Sequence, residues 1–232
     1  MKKNNRLLTL ITGDASPYCQ KKYGDYGDLF ESLLMRTGET WLKRDVVRDG
    51  VSDLPDVDGV IVTGSAATAH DRLDWMLALE AQLRTYIGQE VPVVGVCFGH
   101  QALAWALGGE TSRNSDWEVG TKPLTGHMAL MGVNEWPRLL QIHRDHVTRL
   151  PKDCVIHASS QQTPIQVFSY RGLALGIQGH PEFWGDIVSD LVEARVARGL
   201  MTQAHLAQAQ KESPSKNDRF NYRQLIRRFL EN

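Results

Sequence analysis

Residues 91–107, VPVVGVCFGHQALAWAL, join two periodicities through a cysteine framed by glycines. Val91–Val96 is almost wholly apolar and rich in β-branched residues, as expected of a parallel strand buried on both faces. Phe98–Leu107 is rich in Ala and Leu, and Gly108-Gly109 follows as a helix stop. A buried strand that passes straight into a helix is the repeating unit of a layered α/β fold, so the same alternation should flank it.

Upstream, Leu7–Thr12 reads as an opening strand and is followed by a loop to about Tyr26, with Cys19 inside that loop. Leu29, Phe30, Leu33 and Leu34 share a helical face within Asp28–Met35, and Thr40–Val47 is extended. Val57–Thr63 reads as a strand; Trp75, Met76, Leu79 and Leu83 then recur at helical spacing through Ile87. Downstream, β-prone pieces at Trp117–Leu124, Leu139–His143, Val155–Ala158, Ile165–Tyr170 and Leu173–Gln178 extend or flank the main sheet. Ile187, Val188, Leu191, Val192 and Val196 mark a helix from Asp186, followed by helical segments at Gln203–Lys211 and Tyr222–Leu230. Ser213–Asp218 is the only linker-like stretch and lies too near the end to divide the chain. The expectation is therefore one domain over residues 1–232, a three-layer α/β sandwich around a central, mostly parallel sheet.

The chain has 232 residues, 42% hydrophobic and 23% charged, which are globular values. A chain of this mass can bury about 70% of its unfolded surface, so no disulfide or metal is needed to fold it. The net charge of −1 supplies no uniform field for nucleic acid or an anionic membrane, and neither is an expected partner. Leu7, Leu8, Leu10 and Ile11 form too short a run for an export signal, and no apolar run reaches ~18 residues. A cytoplasmic location is expected. Cys19, Cys97 and Cys154 are odd in number and lack C-x-x-C spacing, which argues against a disulfide framework and a zinc site.

Gly95-Val96-Cys97-Phe98-Gly99 is the thiol form of a nucleophile elbow, in which the two glycines permit a cramped strand-to-helix turn that projects the central side chain. A thiol at a helix N-terminus meets unpaired N–H groups and the positive end of the dipole, which favour the thiolate. The Phe98 amide is placed to meet an oxyanion on a carbonyl attacked by Cys97. The competing reading is a small buried hydrophobe with packing glycines, which is the preferred reading for Cys19 and Cys154. Thiol chemistry on an amide also needs a proton donor for the leaving nitrogen, and His180-Pro181-Glu182 offers one. Proline holds His180 extended, so Glu182, two residues on, projects to the same side and can orient the imidazole. Alone, H-P-E also fits a turn with a surface carboxylate. His100 is a second candidate base, and His143 and His146, flanking Asp145, have H-x-x-H spacing without further ligands nearby. Gly64-Ser65-Ala66, after the strand at Val60–Thr63, can supply the second oxyanion amide or be an ordinary tight turn. Tyr18, Tyr23, Tyr26 and Trp117 either line an acceptor pocket or cover the core edge.

Taken together, Gly-x-Cys-x-Gly-x-Gln at 95–101 and Gly-Ile-Gln-Gly-His-Pro-Glu at 176–182 resemble the class I glutamine amidotransferases. The resemblance covers most of the chain, including Val60–Ser65 and His143–Val147. It implies the flavodoxin-like fold of that family and a triad of Cys97, His180 and Glu182. It also implies oxyanion amides from Gly64 and Phe98, a glutamyl moiety held by Gln101, Asp145 and Ser65, and no metal or organic cofactor. Lys21–Gly24, Val62–Ser65, Asp74-Trp75 and the long helical tail are most similar to the free-standing branch that includes plant γ-glutamyl peptidases. Gly64-Ser65-Ala66 departs from the Gly-Gly-Pro of synthetase-linked members. The expected function is hydrolysis of a γ-glutamyl amide, of glutamine or a γ-glutamyl conjugate, through a glutamyl thioester. The alternatives are a glutaminase subunit supplying ammonia to a separate synthase, and a non-catalytic binding protein on the same fold. No G-x-x-x-x-G-K-[ST] run marks a nucleotide site.

Overall fold

The computed structural model describes residues 6–127, 136–211 and 215–231. Its four most apolar runs form β1 (Arg6–Ile11), β3 (Gly59–Val62), β4 (Val93–Val96) and β10 (Ala174–Ile177), and β3, β4 and β10 are buried at every position. With β2 (Thr40–Asp45), they pair in parallel in the order β2-β1-β3-β4-β10. Beyond β10 the sheet continues antiparallel through β9 (Val167–Tyr170), β8 (Cys154–Ser159) and the short β6 (Thr125-Gly126). Among the described residues this makes an eight-stranded sheet whose core half is parallel.

Alternation along the strands sends side chains to two apolar layers. Val94, Val96, Ile61, Leu175 and Ile177 pack with Phe30 and Leu33 of α2 (Tyr26–Leu34) and with Tyr222, Ile226 and Phe229 of α7 (Lys216–Glu231). Val93, Val60, Val62 and Ala174 pack with Met76, Leu79 and Leu83 of α3 (Asp74–Gly88) and Leu103 of α4 (Phe98–Ala106). The result is the expected helix–sheet–helix sandwich.

The polar middle of the chain does two things. β8 and β9 extend the sheet, whereas, among the described strands, β5 (Glu110–Lys122) and β7 (Leu139–Arg149) pair with each other as a separate antiparallel ribbon. A third apolar cluster joins this ribbon, through Val119, Leu140 and Ile142, to α1 (Pro17–Tyr23), α5 (Gly185–Ala197) and α6 (Gln203–Lys211).

Two sequence expectations are corrected here. The loop expected up to Tyr26 contains helix α1: Ser16 caps it by accepting the Cys19 N–H, and Pro17 occupies its first turn. Cys19 is thus a fully buried helical residue. Ser215–Asp218 is not linker but the start of α7, with the Ser215 hydroxyl accepting the Asp218 N–H and the Asp218 carboxylate accepting the Ser215 N–H. Ser213 and Pro214 lie outside the described residues. Among the described residues no helix is long and apolar enough to cross a membrane.

Candidate active site

The turn from β4 into α4 is as tight as its sequence requires. Cys97 has φ 53° and ψ −105°, a conformation that L side chains rarely adopt. A Cβ at Gly95 would lie 2.3 Å from the Gly99 carbonyl oxygen, and one at Gly99 would lie 2.3 Å from that of Val62, so neither position accepts a side chain. Both neighbouring strand ends hold the turn: Cys97 N–H donates to the Ile177 carbonyl at 2.9 Å, and Gly99 N–H to that of Thr63 at 3.1 Å.

Below the adjacent strand end, the Thr12 hydroxyl donates to the carbonyls of Thr63 and Gly64, both at 3.0 Å. Because the Thr63 carbonyl is engaged there, the Gly64 N–H of the same trans peptide is directed away from that network. Gly64 also separates the two reactive candidates. A Cβ on it would lie 2.9 Å from His180 Cε1 and 3.5 Å from Cys97 Cβ, so imidazole and thiol meet beside a glycine that must lack a side chain. Phe98 is the first residue of α4, where a backbone N–H has no partner inside the helix.

His180 and Glu182 arrive on the segment after β10, fixed by the His180 N–H donating to the Leu140 carbonyl of the ribbon at 2.8 Å. His180 Nδ1 lies 2.7 Å from Glu182 Oε1, and both residues are buried. The ring stacks on Phe183, with centroids 4.0 Å apart and an 8° interplanar angle. Burial alone would push the His180 imidazole down, but the Glu182 carboxylate and the Cys97 sulfur beside it raise it to about 10.

A cavity of about 250 Å³ opens over the thiol, lined by Ser65, Cys97, Phe98, Gln101, Trp117, Arg113, His143, Arg144, Asp145 and Arg195 among others. His180 and Glu182 do not line it. The Gln101 amide donates to the Asp145 carbonyl at 2.8 Å and to Gln178 Oε1 at 3.2 Å, bridging α4, the ribbon and the residue that follows β10. The Asp145 carboxylate is taken up by Arg113, which sits opposite it in the ribbon and binds it at 2.9 and 3.4 Å. The Ser65 hydroxyl accepts the Ala67 N–H at 3.1 Å.

The remaining candidates are placed elsewhere. His100 is fully buried beside Phe168, and burial pushes it down to about 3, so it is a neutral core residue rather than a base. His143 faces the cavity with Nε2 3.3 Å from Glu118 Oε2. Among the described residues no group of three or more His, Cys, Asp or Glu side chains is gathered to hold a metal ion. Of the four aromatic candidates for an acceptor pocket only Trp117 lines the cavity; Tyr26 is buried against Phe183, and the hydroxyls of Tyr18 and Tyr23 both donate to Asp186. Sequence reasoning missed Phe183, Arg113 and Arg195, and gave Arg144 no role of its own within His143–Val147. Arg113 could have been found only from the ribbon register, and Arg195 stands on a helix with no local motif.

Comparison with known proteins identifies the family and the fold. A family model described as "Glutamine amidotransferase class-I" matches residues 25–187. Gamma-glutamyl peptidase 4 of Arabidopsis thaliana is 31% identical, with 97% of this chain and 94% of that protein aligned. A glutamine-hydrolyzing GMP synthase of Aeropyrum pernix is 30% identical over 61% of this chain but only 32% of its own length. A crystal structure of a glutamine amidotransferase from Thermotoga maritima superposes with a TM-score of 0.77 at 21% identity, covering 99% of both chains, a likeness of fold.

Proposed function

The chain belongs to the class I glutamine amidotransferase family and is an enzyme, and on that premise we propose that it is a cysteine hydrolase of γ-glutamyl amides. The observation that carries the reading is Cys97 at a strained turn below a cavity, beside a buried His180–Glu182 pair.

Cys97 Sγ attacks the γ-carbonyl carbon, and the new C–S bond shifts charge onto oxygen, between the N–H groups of Phe98 and Gly64. His180, protonated because of Glu182 and Cys97, passes its proton to the leaving nitrogen as the C–N bond breaks. Water then attacks the glutamyl thioester and gives His180 a proton, glutamate departs, and the sulfur leaves as thiolate beside the imidazolium. Glu182 Oε1, 2.7 Å from Nδ1, orients the ring. Gln101, the Asp145 backbone and Ser65 border the glutamyl group.

The test is the purified chain alone, offered glutamine, glutathione and γ-glutamyl amines, with ammonia and glutamate scored separately. Glutamate release without a partner is expected, and Cys97→Ser should lower turnover about 10⁴-fold or more. The likeness to one third of a GMP synthase favours a second reading, ammonia supply to a separate synthase. That reading requires the chain alone to be slow on every substrate and accelerated by a partner.

A further inference from the structure

Arg195, on α5, lines the cavity above Cys97 and is half-buried. Its Nη1 donates to the Leu191 carbonyl of its own helix at 2.9 Å, and its guanidinium faces the Trp117 ring at 5.6 Å from the centroid. Both partners are neutral. Among the described residues no carboxylate lies within ion-pair distance of it, whereas Arg113, on the same cavity, is matched by Asp145. Arg144, the third guanidinium there, has its Nε and Nη2 committed to the carbonyls of Asn114 and Ser115. Neither Arg144 nor Arg195 is paired with a carboxylate among the described residues, but Arg195 commits only Nη1 to a hydrogen bond and is therefore the cavity cation best placed to receive an anion.

We propose that Arg195 reads a carboxylate on the leaving group, so that the enzyme prefers γ-glutamyl amides of amino acids and peptides over glutamine and γ-glutamyl amines. The proposal rests on the hydrolase reading and adds to it the leaving-group class. Its physical basis is that burial pushes the guanidinium down, a penalty that a bound carboxylate removes through a bidentate, charge-assisted pair. Trp117 holds the guanidinium plane from one side and, with Leu200, gives the same part of the cavity apolar surface. Ammonia or a simple amine has nothing to place there. An amino acid departing from the thiol would present its carboxylate to this arginine.

A carboxylate is also present on every substrate as the α-carboxylate of the glutamyl moiety, and the test separates the two. The full chain is assayed on γ-glutamylglycine, on γ-glutamylglycinamide, which differs only in lacking the leaving-group charge, and on glutamine. Wild type should favour the acid over its amide by about tenfold or more in kcat/KM, and in Arg195→Gln this ratio should fall to about one, with Arg195→Lys between them. Arg195→Glu should invert the preference toward a γ-glutamyl diamine, a gain that misfolding cannot produce. The proposal is overturned if wild type does not distinguish acid from amide, or if Arg195→Gln loses equally on all three substrates, which would assign Arg195 to the α-carboxylate or to packing. Should wild type cleave none of them, the hydrolase reading falls, and calorimetry on Cys97→Ser decides the inference. Equal affinity for γ-glutamylglycine and its amide refutes it; tighter binding of the acid that is abolished in Cys97→Ser/Arg195→Gln supports it.

Discussion

Gly64 packs against both His180 and Cys97. A methyl group there meets His180 Cε1 at 2.9 Å, and an imidazole has nowhere to yield while stacked on Phe183. Gly64→Ala is expected to lower kcat by about 10²-fold through misplacement of the ring, with only a small shift in thermal midpoint; steady-state kinetics and a melting curve on the same sample check it. His180 gives a second prediction. Raised to about 10, it keeps until that pH the proton that the proposed mechanism delivers to the leaving nitrogen, so kcat/KM should fall on the alkaline side near pH 10. Glu182→Gln removes a principal cause of the elevation and leaves burial to pull the other way, so that limb should move down by more than one pH unit. The sign for stability follows from the same shift. Protonation favours the folded chain, so the contribution of His180 is complete below its ordinary value of 6.5 and is lost as pH rises through 10. An alkaline loss of stability over that interval, reduced in Glu182→Gln, is the expected result of denaturant titrations at a series of pH values.

Helix α2 begins at a reciprocal cap in which the Asp25 and Asp28 side chains each accept the other's backbone N–H at 2.8 Å. Asp25→Ala should cost about 1 kcal/mol, read as a lower denaturation midpoint at unchanged slope. Elements of this kind were legible in the sequence in proportion to how much apolar surface they bury. β3, β4 and β10 are continuous apolar runs because helices cover both faces, and α3 shows its buried stripe. The motif cysteine and the H-P-E tripeptide could likewise be placed at strand ends, since glycine and proline restrict the backbone locally. Helix α1 was not legible, because Cys19 is its one buried residue and its signal is only the cap Ser16 with Pro17. Nor was the full length of β5, whose first half is polar and bulges between Arg113 and Glu118, so that alternation is lost. The pairing of Arg113 with Asp145 depends on that bulged register and could not be read from either strand alone.

At the scale of the molecule, α7 ties the end of the chain to its beginning. Arg227, almost fully buried, donates to both carboxylate oxygens of Glu39, 188 residues away, and Tyr222 donates to the Pro137 carbonyl at 3.0 Å. Arg227→Ala would strand a buried carboxylate and should lower stability by about 3 kcal/mol, whereas replacing both partners by apolar residues should cost much less; chemical denaturation of the single and double variants measures the difference. The cavity has a similar long-range origin, with Cys97 and Ser65 from strand ends of the main sheet and Trp117, Arg144 and Arg195 from the β5–β7 ribbon and α5. Two parts of the chain, the parallel sheet that carries the sulfur and the ribbon that stands over it, thus meet at one cavity. Substitution along the ribbon can reshape the rim of that cavity, one side chain at a time, without touching the strand ends that hold the cysteine.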